Sequence, residues 1–226
     1  PGFDAQVNIV DGLNVMAASV KADVDRFVYI NTGGALYGEP ERLPCREDDP
    51  IRPISPYGLS KWTLEVYLEM LLPAAASLVT LRLANVYGPR QDPHGEAGVV
   101  AIFAERMLEG RELKIFGDGE QTRDFVYVTD VARSVEAALA FDGRTSVNIG
   151  AGRPLSVRQV FNVLAELTGY ACDAVHAPAR PGDVRHIFLD VQRAGDLLGW
   201  RATTSLEEGL KLTVDHLRNT GDALRR

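Results

Sequence analysis

The segment Ser55-Pro-Tyr-Gly-Leu-Ser-Lys61 carries the residues of this chain that are best suited to chemistry. Tyr57 and Lys61 are four residues apart near the start of a predicted helix, which places the phenol and the ammonium on one face. A positive charge beside a phenol favours the phenolate and lowers its pKa from about 10, so that Tyr57 could act as a general base. Taken alone, the same spacing is also typical of a half-buried tyrosine beside a solvated lysine.

The elements that must position this pair alternate between helix and strand. Ser55 is a suitable N-cap and Pro56 suits a first helical turn, which predicts a helix from about residue 57 to 72. An apolar run, Phe27-Val-Tyr-Ile30, predicts a buried strand before that helix. Other strands are predicted at 78–83, 113–116 and 147–149, and other helices at 4–22, 98–109, after Asp130, after Ser156, at 191–198 and at 206–217. This alternation is typical of α/β folds.

Composition and charge narrow the possible function classes. The 226 residues carry a formal net charge of −7, which argues against a broad surface for nucleic acid or anionic membranes. The two cysteines, Cys45 and Cys172, are far apart, so we expect a reducing compartment, most simply the cytoplasm. No apolar run is long enough for a membrane span. The segment around His94 lacks a metal-ligand pattern, so no metal is implied.

Six segments of the chain resemble those of a known family in their residue types and in their order along the chain. They are Tyr29–Gly38, Tyr57–Lys61, Leu81–Gln91, Leu113–Gly119, Gln121–Asp130 and Ala179–Asp183. Together they resemble the extended short-chain dehydrogenase/reductase family of NAD-dependent nucleotide-sugar epimerases and dehydratases, and in particular its UDP-glucose 4-epimerases. The resemblance implies a Rossmann-like, mostly parallel α/β sheet with a small mixed α/β substrate-binding region. It also implies NAD as the cofactor and a UDP-sugar as the substrate.

The resemblance assigns roles around the cofactor. Tyr57 and Lys61 become the acid/base pair, and the lysine also holds the nicotinamide ribose. Asn8, Leu83 and Ala84 are the other residues implied to lie near NAD. Asp11 stands where the family usually has a glycine shortly after the asparagine.

A third catalytic residue is less well defined in this chain. The family's Ser or Thr falls on Gly33, with Thr32 one residue earlier. Either Thr32 reaches the substrate through a shifted backbone, or a main-chain group or water replaces the hydroxyl. Thr32 is the candidate that we prefer, although it could instead satisfy local backbone groups in a turn.

The substrate-binding residues are also implied by the resemblance. Arginine suits a diphosphate because its guanidinium fork matches phosphate oxygens, and an aromatic ring suits base stacking. The set comprises Asn85, Arg123 and Arg180 for the diphosphate, Phe116 for the base, Asp183 for a ribose hydroxyl and the main chain of Val99 for the sugar nucleotide.

The loop before Tyr37 helps to choose among reactions. Relatives that dehydrate or decarboxylate sugar nucleotides look as though they need an acidic residue there, whereas this chain has Gly34, Ala35 and Leu36. Epimerisation at C4 of UDP-glucose and UDP-galactose through a 4-keto sugar needs only one base and one hydride carrier. The alternatives are another nucleotide-sugar dehydratase or decarboxylase, and a non-catalytic fragment that binds nucleotide sugar only.

The resemblance also predicts domain organisation. Residues 1–90 correspond to the later part of the NAD-binding domain, and 91–226 mainly to the substrate-binding region, interleaved with the last Rossmann elements at about 124–150. The glycine-rich turn that cradles the cofactor pyrophosphate is absent, and Gly150 and Gly152 lie in a segment with Leu155 in place of a third glycine. We therefore expect an upstream cofactor-binding portion. A homodimer is implied, formed by the helix at 4–22 and the Tyr57 helix of each subunit.

Overall fold

The computed structural model describes residues 1–93, 98–179 and 184–224. Its helices are α1 (Gly2–Ala5), a π-helix (Gln6–Val10), α2 (Asp11–Lys21), α3 (Pro56–Leu71), α4 (Val99–Leu108), α5 (Val128–Ala140), α6 (Val157–Thr168), α7 (Gln192–Leu198) and α8 (Leu206–Leu224). Its strands are β1 (Arg26–Thr32), β2 (Ser77–Leu83), β3 (Asn85–Tyr87), β4 (Lys114–Phe116), β5 (Thr122–Arg123), β6 (Phe125–Tyr127), β7 (Arg144–Ile149), β8 (Leu155–Ser156) and β9 (Val175–Ala177).

Three parallel strands form the central sheet, in the order β1-β2-β7. β2 lies in the middle and is buried along nearly its whole length, as expected of a parallel strand covered on both faces. Thr32 pairs with Leu83, and Leu83 pairs with Ile149, so the three strands end at one edge. The predicted Rossmann-like, mostly parallel sheet is confirmed.

Three short strand pairs extend the chain beyond this sheet. β3 pairs with β6 and β4 with β9, both in parallel, whereas β5 and β8 are antiparallel. Helices α4, α6 and α8 pack around a second core that includes Phe103, Leu113, Leu164 and Leu210. This part of the molecule therefore has its own apolar interior beside the sheet.

The first helical segment packs on α3. Gly12 makes the close approach, because a side chain there would overlap the Leu64 side chain. Met16, Leu64 and Leu68 form a small core with Tyr29 on β1. The contact fixes α3 between the first helices and the sheet.

The larger predicted elements are confirmed, with corrections at their ends. The helix predicted at 4–22 is divided into α1, the π-helix and α2. α5 begins at Val128, before Asp130, and α8 runs to Leu224. The short strands β3, β5, β6, β8 and β9 were not predicted, because two or three residues are too few to give an apolar period. The equally short β4 was predicted as part of the segment 113–116.

Candidate functional site

The start of α3 lies directly on the loop that follows β1. Ser55 caps the helix by accepting a hydrogen bond from the Gly58 N–H at 3.1 Å. A side chain at Gly58 would overlap the carbonyl oxygen of Ala35, so only glycine permits this approach. Tyr57, with 40% of its surface exposed, is thereby held at the carboxyl edge of the sheet.

Lys61 reaches down onto β1. Its Nζ donates to the Ile30 carbonyl at 2.6 Å and lies 4.7 Å from the centre of the Tyr29 ring. The Tyr29 hydroxyl donates to the Lys61 carbonyl at 3.1 Å. Burial lowers the pKa of Lys61 to about 8, while the Glu65 carboxylate acts to raise it. A lysine with this pKa stays mainly protonated at pH 7.

Asn8 is connected to α3 through Ser60, a residue that the sequence analysis did not single out. The Asn8 Nδ2 donates to Ser60 Oγ at 3.2 Å, and Ser60 Oγ donates to the Tyr57 carbonyl at 2.8 Å. Asn8 lies in the π-helix, a widened turn that is frequent at functional sites. The chain of hydrogen bonds ties the first helical segment to the backbone of Tyr57.

A buried ion pair lies one turn beyond Lys61 on α3. Glu65 accepts from the Arg82 Nη2 of β2 at 2.6 Å, and both side chains are about 95% buried or more. Asn31 also donates to Glu65, and Ser146 Oγ does so at 3.1 Å. Arg82 in turn donates to the Glu47 carbonyl at 2.9 Å. This network links α3 to all three strands of the central sheet.

The loop after β1 contains the two positions considered for a catalytic hydroxyl. Gly33 is buried, and a Cβ there would lie 2.6 Å from Leu189 Cδ1 and 3.0 Å from the Arg82 carbonyl. A Ser or Thr at 33 would require its neighbours to move. Thr32, the last residue of β1, is half-buried, and its N–H donates to Asn31 Oδ1 at 2.8 Å. Of the two positions, only 32 carries a hydroxyl, at the strand end beside Lys61.

Leu83 and Ala84 occupy the adjacent end of β2. The Leu83 carbonyl accepts from the Gly33 N–H at 2.6 Å, and the Ala84 N–H donates to the Ile149 carbonyl at 2.8 Å. Both side chains are 9% exposed and belong to the central core. Their contacts place them at the same edge of the sheet as Thr32.

The predicted substrate-binding residues lie on several elements. Asn85 begins β3 and is exposed, with its Oδ1 3.6 Å from the position of a Cβ at Gly34. Val99 is the first residue of α4, and Phe116 ends β4, both half-buried. Arg123 is on β5, where its Nη1 donates to the Thr122 carbonyl at 2.8 Å. Arg180 and Asp183 lie outside the described residues.

Asp124, directly after Arg123, organises the loops around these residues and was not predicted. Its carboxylate accepts main-chain N–H groups of Ala151 at 2.7 Å, Gly152 at 3.1 Å and Leu189 at 3.3 Å. Its own carbonyl accepts from the Asn85 N–H at 2.8 Å. Burial raises the pKa of Asp124 to about 6, although the N–H donors oppose that change. Asp124 lies within the segment Gln121–Asp130 that the sequence analysis singled out, but only the fold shows its contacts with these loops.

Two further properties were tested on the described part of the chain. It contains no group of three or more His, Cys, Asp and Glu residues placed to hold a metal ion. In the same residues, no helix has the length and apolar character needed to cross a membrane.

Comparison with known proteins identifies relatives of this chain. Residues 2–150 match the family model described as "NAD dependent epimerase/dehydratase family". A putative UDP-glucose 4-epimerase of Methanocaldococcus jannaschii is 42% identical over 97% of this chain and 72% of its own length. The UDP-glucose 4-epimerase of Mycolicibacterium smegmatis is 44% identical over 97% of this chain and 71% of its length.

Solved structures give the same result. The UDP-glucose 4-epimerase of Thermotoga maritima, crystallised with UDP-glucose, superposes with a TM-score of 0.94 and is 49% identical, covering 97% of this chain and 72% of that one. The UDP-glucose 4-epimerase of Thermus thermophilus, in complex with NAD, has a TM-score of 0.88 and 43% identity, covering 94% and 70%. Similarity to both structures extends through the sheet and the region beyond it.

Proposed function

We propose that this chain, which belongs to the NAD dependent epimerase/dehydratase family, catalyses NAD-dependent epimerisation at C4 of a UDP-hexose, interconverting UDP-glucose and UDP-galactose. The observation that carries the proposal is the pair formed by Tyr57 and Lys61, with the lysine bound to the Ile30 carbonyl at the end of β1. The relatives named as UDP-glucose 4-epimerases, one solved with UDP-glucose and one with NAD, support the same reaction.

The carboxyl edge of the sheet is suited to a nicotinamide cofactor. An ammonium has three N–H donors, and the Ile30 carbonyl accepts one of those of Lys61, so the others can serve ribose hydroxyls. The residues proposed to hold NAD are Tyr57, Lys61, Asn8, Leu83 and Ala84. When bound, NAD supplies an acceptor for the C4 hydride and a donor that returns it to the other face of the sugar.

The chain itself supplies the proton transfer. Tyr57 takes the O4 proton while C4 becomes a ketone, and gives a proton back when the 4-keto sugar is reduced. The ammonium of Lys61 stabilises the phenolate form of Tyr57. Thr32 is proposed to bind the reacting oxygen, because it is the hydroxyl at the end of β1 while Gly33 is packed against Leu189.

The UDP part is proposed to bind between the strand ends and the second core. Asn85, Arg123 and Arg180 are assigned to the diphosphate, Phe116 to the base, Asp183 to ribose and the Val99 main chain to the sugar nucleotide. Asp124 supports this assignment, because it fixes the main chain of Asn85 and two other loops beside Arg123. Guanidinium groups are suited to phosphate oxygens even in a chain of net charge −7.

We propose the following domain organisation for the chain. Residues 1–90 form part of the NAD-binding domain, and 91–226 form mainly the substrate-binding region. Residues 124–150 are interleaved, which the position of β7 beside β2 supports. A cytoplasmic location is proposed on the ground that Cys45 and Cys172 are both free thiols.

A homodimer is proposed through α2 and α3. Both helices expose large apolar side chains, among them Val15 at 59%, Leu59 at 56% and Met70 at 72%. A second copy would cover this face by forming a four-helix bundle. We expect Met70→Glu to shift the protein from dimer to monomer in sedimentation equilibrium, whereas Leu212→Glu, at an exposed apolar residue of α8, a helix that packs on α4 and α6, should leave the dimer intact.

The reaction is tested in the whole natural polypeptide that contains this chain. It is incubated with NAD and UDP-galactose, and the sugar nucleotides are resolved by chromatography. We expect UDP-glucose to form, and Tyr57→Phe to abolish its formation while NAD binding persists. A 4-keto-6-deoxy product or a pentose would establish dehydration or decarboxylation instead. Binding of the UDP-sugar without turnover would indicate a binding function only.

A further inference from the structure

Tyr29 makes two separate contacts with Lys61. Its ring lies under the ammonium, 4.7 Å from Nζ to the ring centre, and its hydroxyl donates to the Lys61 main-chain carbonyl at 3.1 Å. The next residue, Ile30, accepts the Lys61 ammonium at 2.6 Å through its carbonyl. Both ends of the lysine are therefore held by consecutive residues of β1.

We propose that Tyr29 is a positioning residue for Lys61, holding the ammonium by its ring and the helix backbone by its hydroxyl. This inference deepens the proposed function and rests on it. A lysine side chain carries a compact charge on a flexible four-carbon stem, so neighbouring residues must fix the position of the ammonium in a site. A ring face attracts an ammonium electrostatically, and more strongly where the pair is removed from water.

The hydroxyl contact serves a different purpose. A hydrogen bond from β1 to the Lys61 carbonyl sets the height of α3 above the sheet at the turn that follows Tyr57. Gly58 fixes the same helix one turn earlier through its approach to Ala35. Gly58 and Tyr29 thus hold the first turns of α3 directly after the proposed base.

The charges around Lys61 come from several elements. Glu65 on α3 acts to raise the pKa of Lys61 and is itself paired with Arg82 on β2. Tyr57 on α3 and Tyr29 on β1 are the nearby phenols. In the first helical segment, Asp4 pairs with the Pro1 amino group at 3.6 Å and Asp11 accepts from the Gln6 amide at 2.9 Å. None of these groups changes when Tyr29 is replaced by Phe or Leu, apart from the Tyr29 phenol itself.

Tyr29 is also 7% exposed and belongs to the small core with Leu64 and Leu68, so simple packing is the competing explanation. The two explanations predict opposite changes at Lys61. If the ring attracts the ammonium, its removal destabilises the charged form and lowers the lysine pKa. If the ring only shields the lysine from water, its removal admits water and raises that pKa.

The test measures the reactivity of Lys61 itself, without turnover. The sequence has only four lysines, so acetic anhydride labelling at a series of pH values can be followed for each by peptide mass spectrometry. Lys21, Lys114 and Lys211 are exposed and serve as internal references. We expect Tyr29→Phe to keep the wild-type midpoint of Lys61, and Tyr29→Leu to lower it by about half a pH unit. An unchanged or raised midpoint in Tyr29→Leu would overturn the role of the ring.

Turnover tests the hydroxyl separately. We expect Tyr29→Phe to lower kcat for the interconversion of UDP-galactose and UDP-glucose about three- to tenfold with KM for the UDP-sugar unchanged. An unchanged kcat, or an equal change in KM, would overturn the hydroxyl's role. If the wild-type protein does not turn over, the proposed function fails, and the labelling experiment still decides how the ring acts on Lys61.

Discussion

Two buried carboxylates hold the two halves of this site, and they do so by different means. Glu65, 3% exposed, lies under α3 and is paired with the Arg82 guanidinium. Asp124, 2% exposed, lies between the loops that contain Ala151 and Leu189 and accepts their main-chain N–H groups. The Glu65 carboxylate is buried together with a full opposite charge, whereas the Asp124 carboxylate accepts hydrogen bonds mainly from main-chain N–H dipoles.

The difference explains the pKa of Asp124. Desolvation raises it to about 6, and three N–H donors together with the more distant Arg153 only partly offset that cost. Fixed partial charges can satisfy every lone pair of a carboxylate without neutralising it. The contacts around Glu65 therefore depend on an ion pair, whereas those around Asp124 depend on a group that titrates close to neutrality.

The largest expected effect comes from breaking the ion pair. Arg82→Leu would leave the Glu65 carboxylate buried without its cation, and we expect the free energy of unfolding to fall by about 3–5 kcal/mol. Urea unfolding measures this change. The matched control is the double variant Arg82→Leu/Glu65→Leu, which removes both charges and should recover part of the loss. A double variant as unstable as the sum of two singles would argue against coupling between them.

The next effect is a pH dependence from Asp124. Its folded pKa is raised above the unfolded value, so its stabilising contribution is full below about pH 4 and is lost as pH rises through about 6. The loss should be about 2–3 kcal/mol between those limits. It is measured as the difference in free energy of unfolding between wild type and Asp124→Asn, which cannot titrate. A difference that grows with pH would mean that the N–H donors outweigh burial.

The smallest effect on stability should come with a clear effect on turnover. Gly58→Ala pushes the start of α3 away from the Ala35 carbonyl, and we expect kcat to fall by about tenfold or more, with the free energy of unfolding lowered by about 1 kcal/mol. The matched control is Gly195→Ala on α7, where an added Cβ would make only ordinary contact, 3.5 Å from the Arg201 side chain. Equal losses of kcat in both variants would show that the effect does not come from the start of α3.

The sequence analysis identified the elements that have long apolar patterns. It also identified the six segments that resemble the family, which include Tyr57 and Lys61. It did not identify Ser60, Glu65 or Asp124 as parts of the site. Their side-chain contacts with other elements join residues 17 to 81 positions apart, such as Glu65 with Arg82 and with Ser146, and no local period encodes them. In the sequence alone, a polar residue within a helix or strand is interpreted as solvent-facing, and only the fold shows that it is buried.

The Gly33 departure illustrates a second limit. The resemblance placed Gly33 where the family has a Ser or Thr, but it gave no reason for the glycine. That reason is the packing of Gly33 against Leu189, which lies 156 positions later in the chain. The identity of Thr32 as the substitute stays a prediction.

The π-helix at Gln6–Val10 bears on which residues of the first helical segment share a face. One extra residue in an α-helix rotates everything after it by about 100°, unless a widened turn absorbs it locally. Here Asn8 before the end of that turn meets Ser60, and Gly12 after it meets Leu64, so both still face α3. The small residue at the helix crossing is Gly12, not Asp11. The widened turn thus keeps Asn8 and Gly12 on the face that contacts α3, while Asp11 stays exposed.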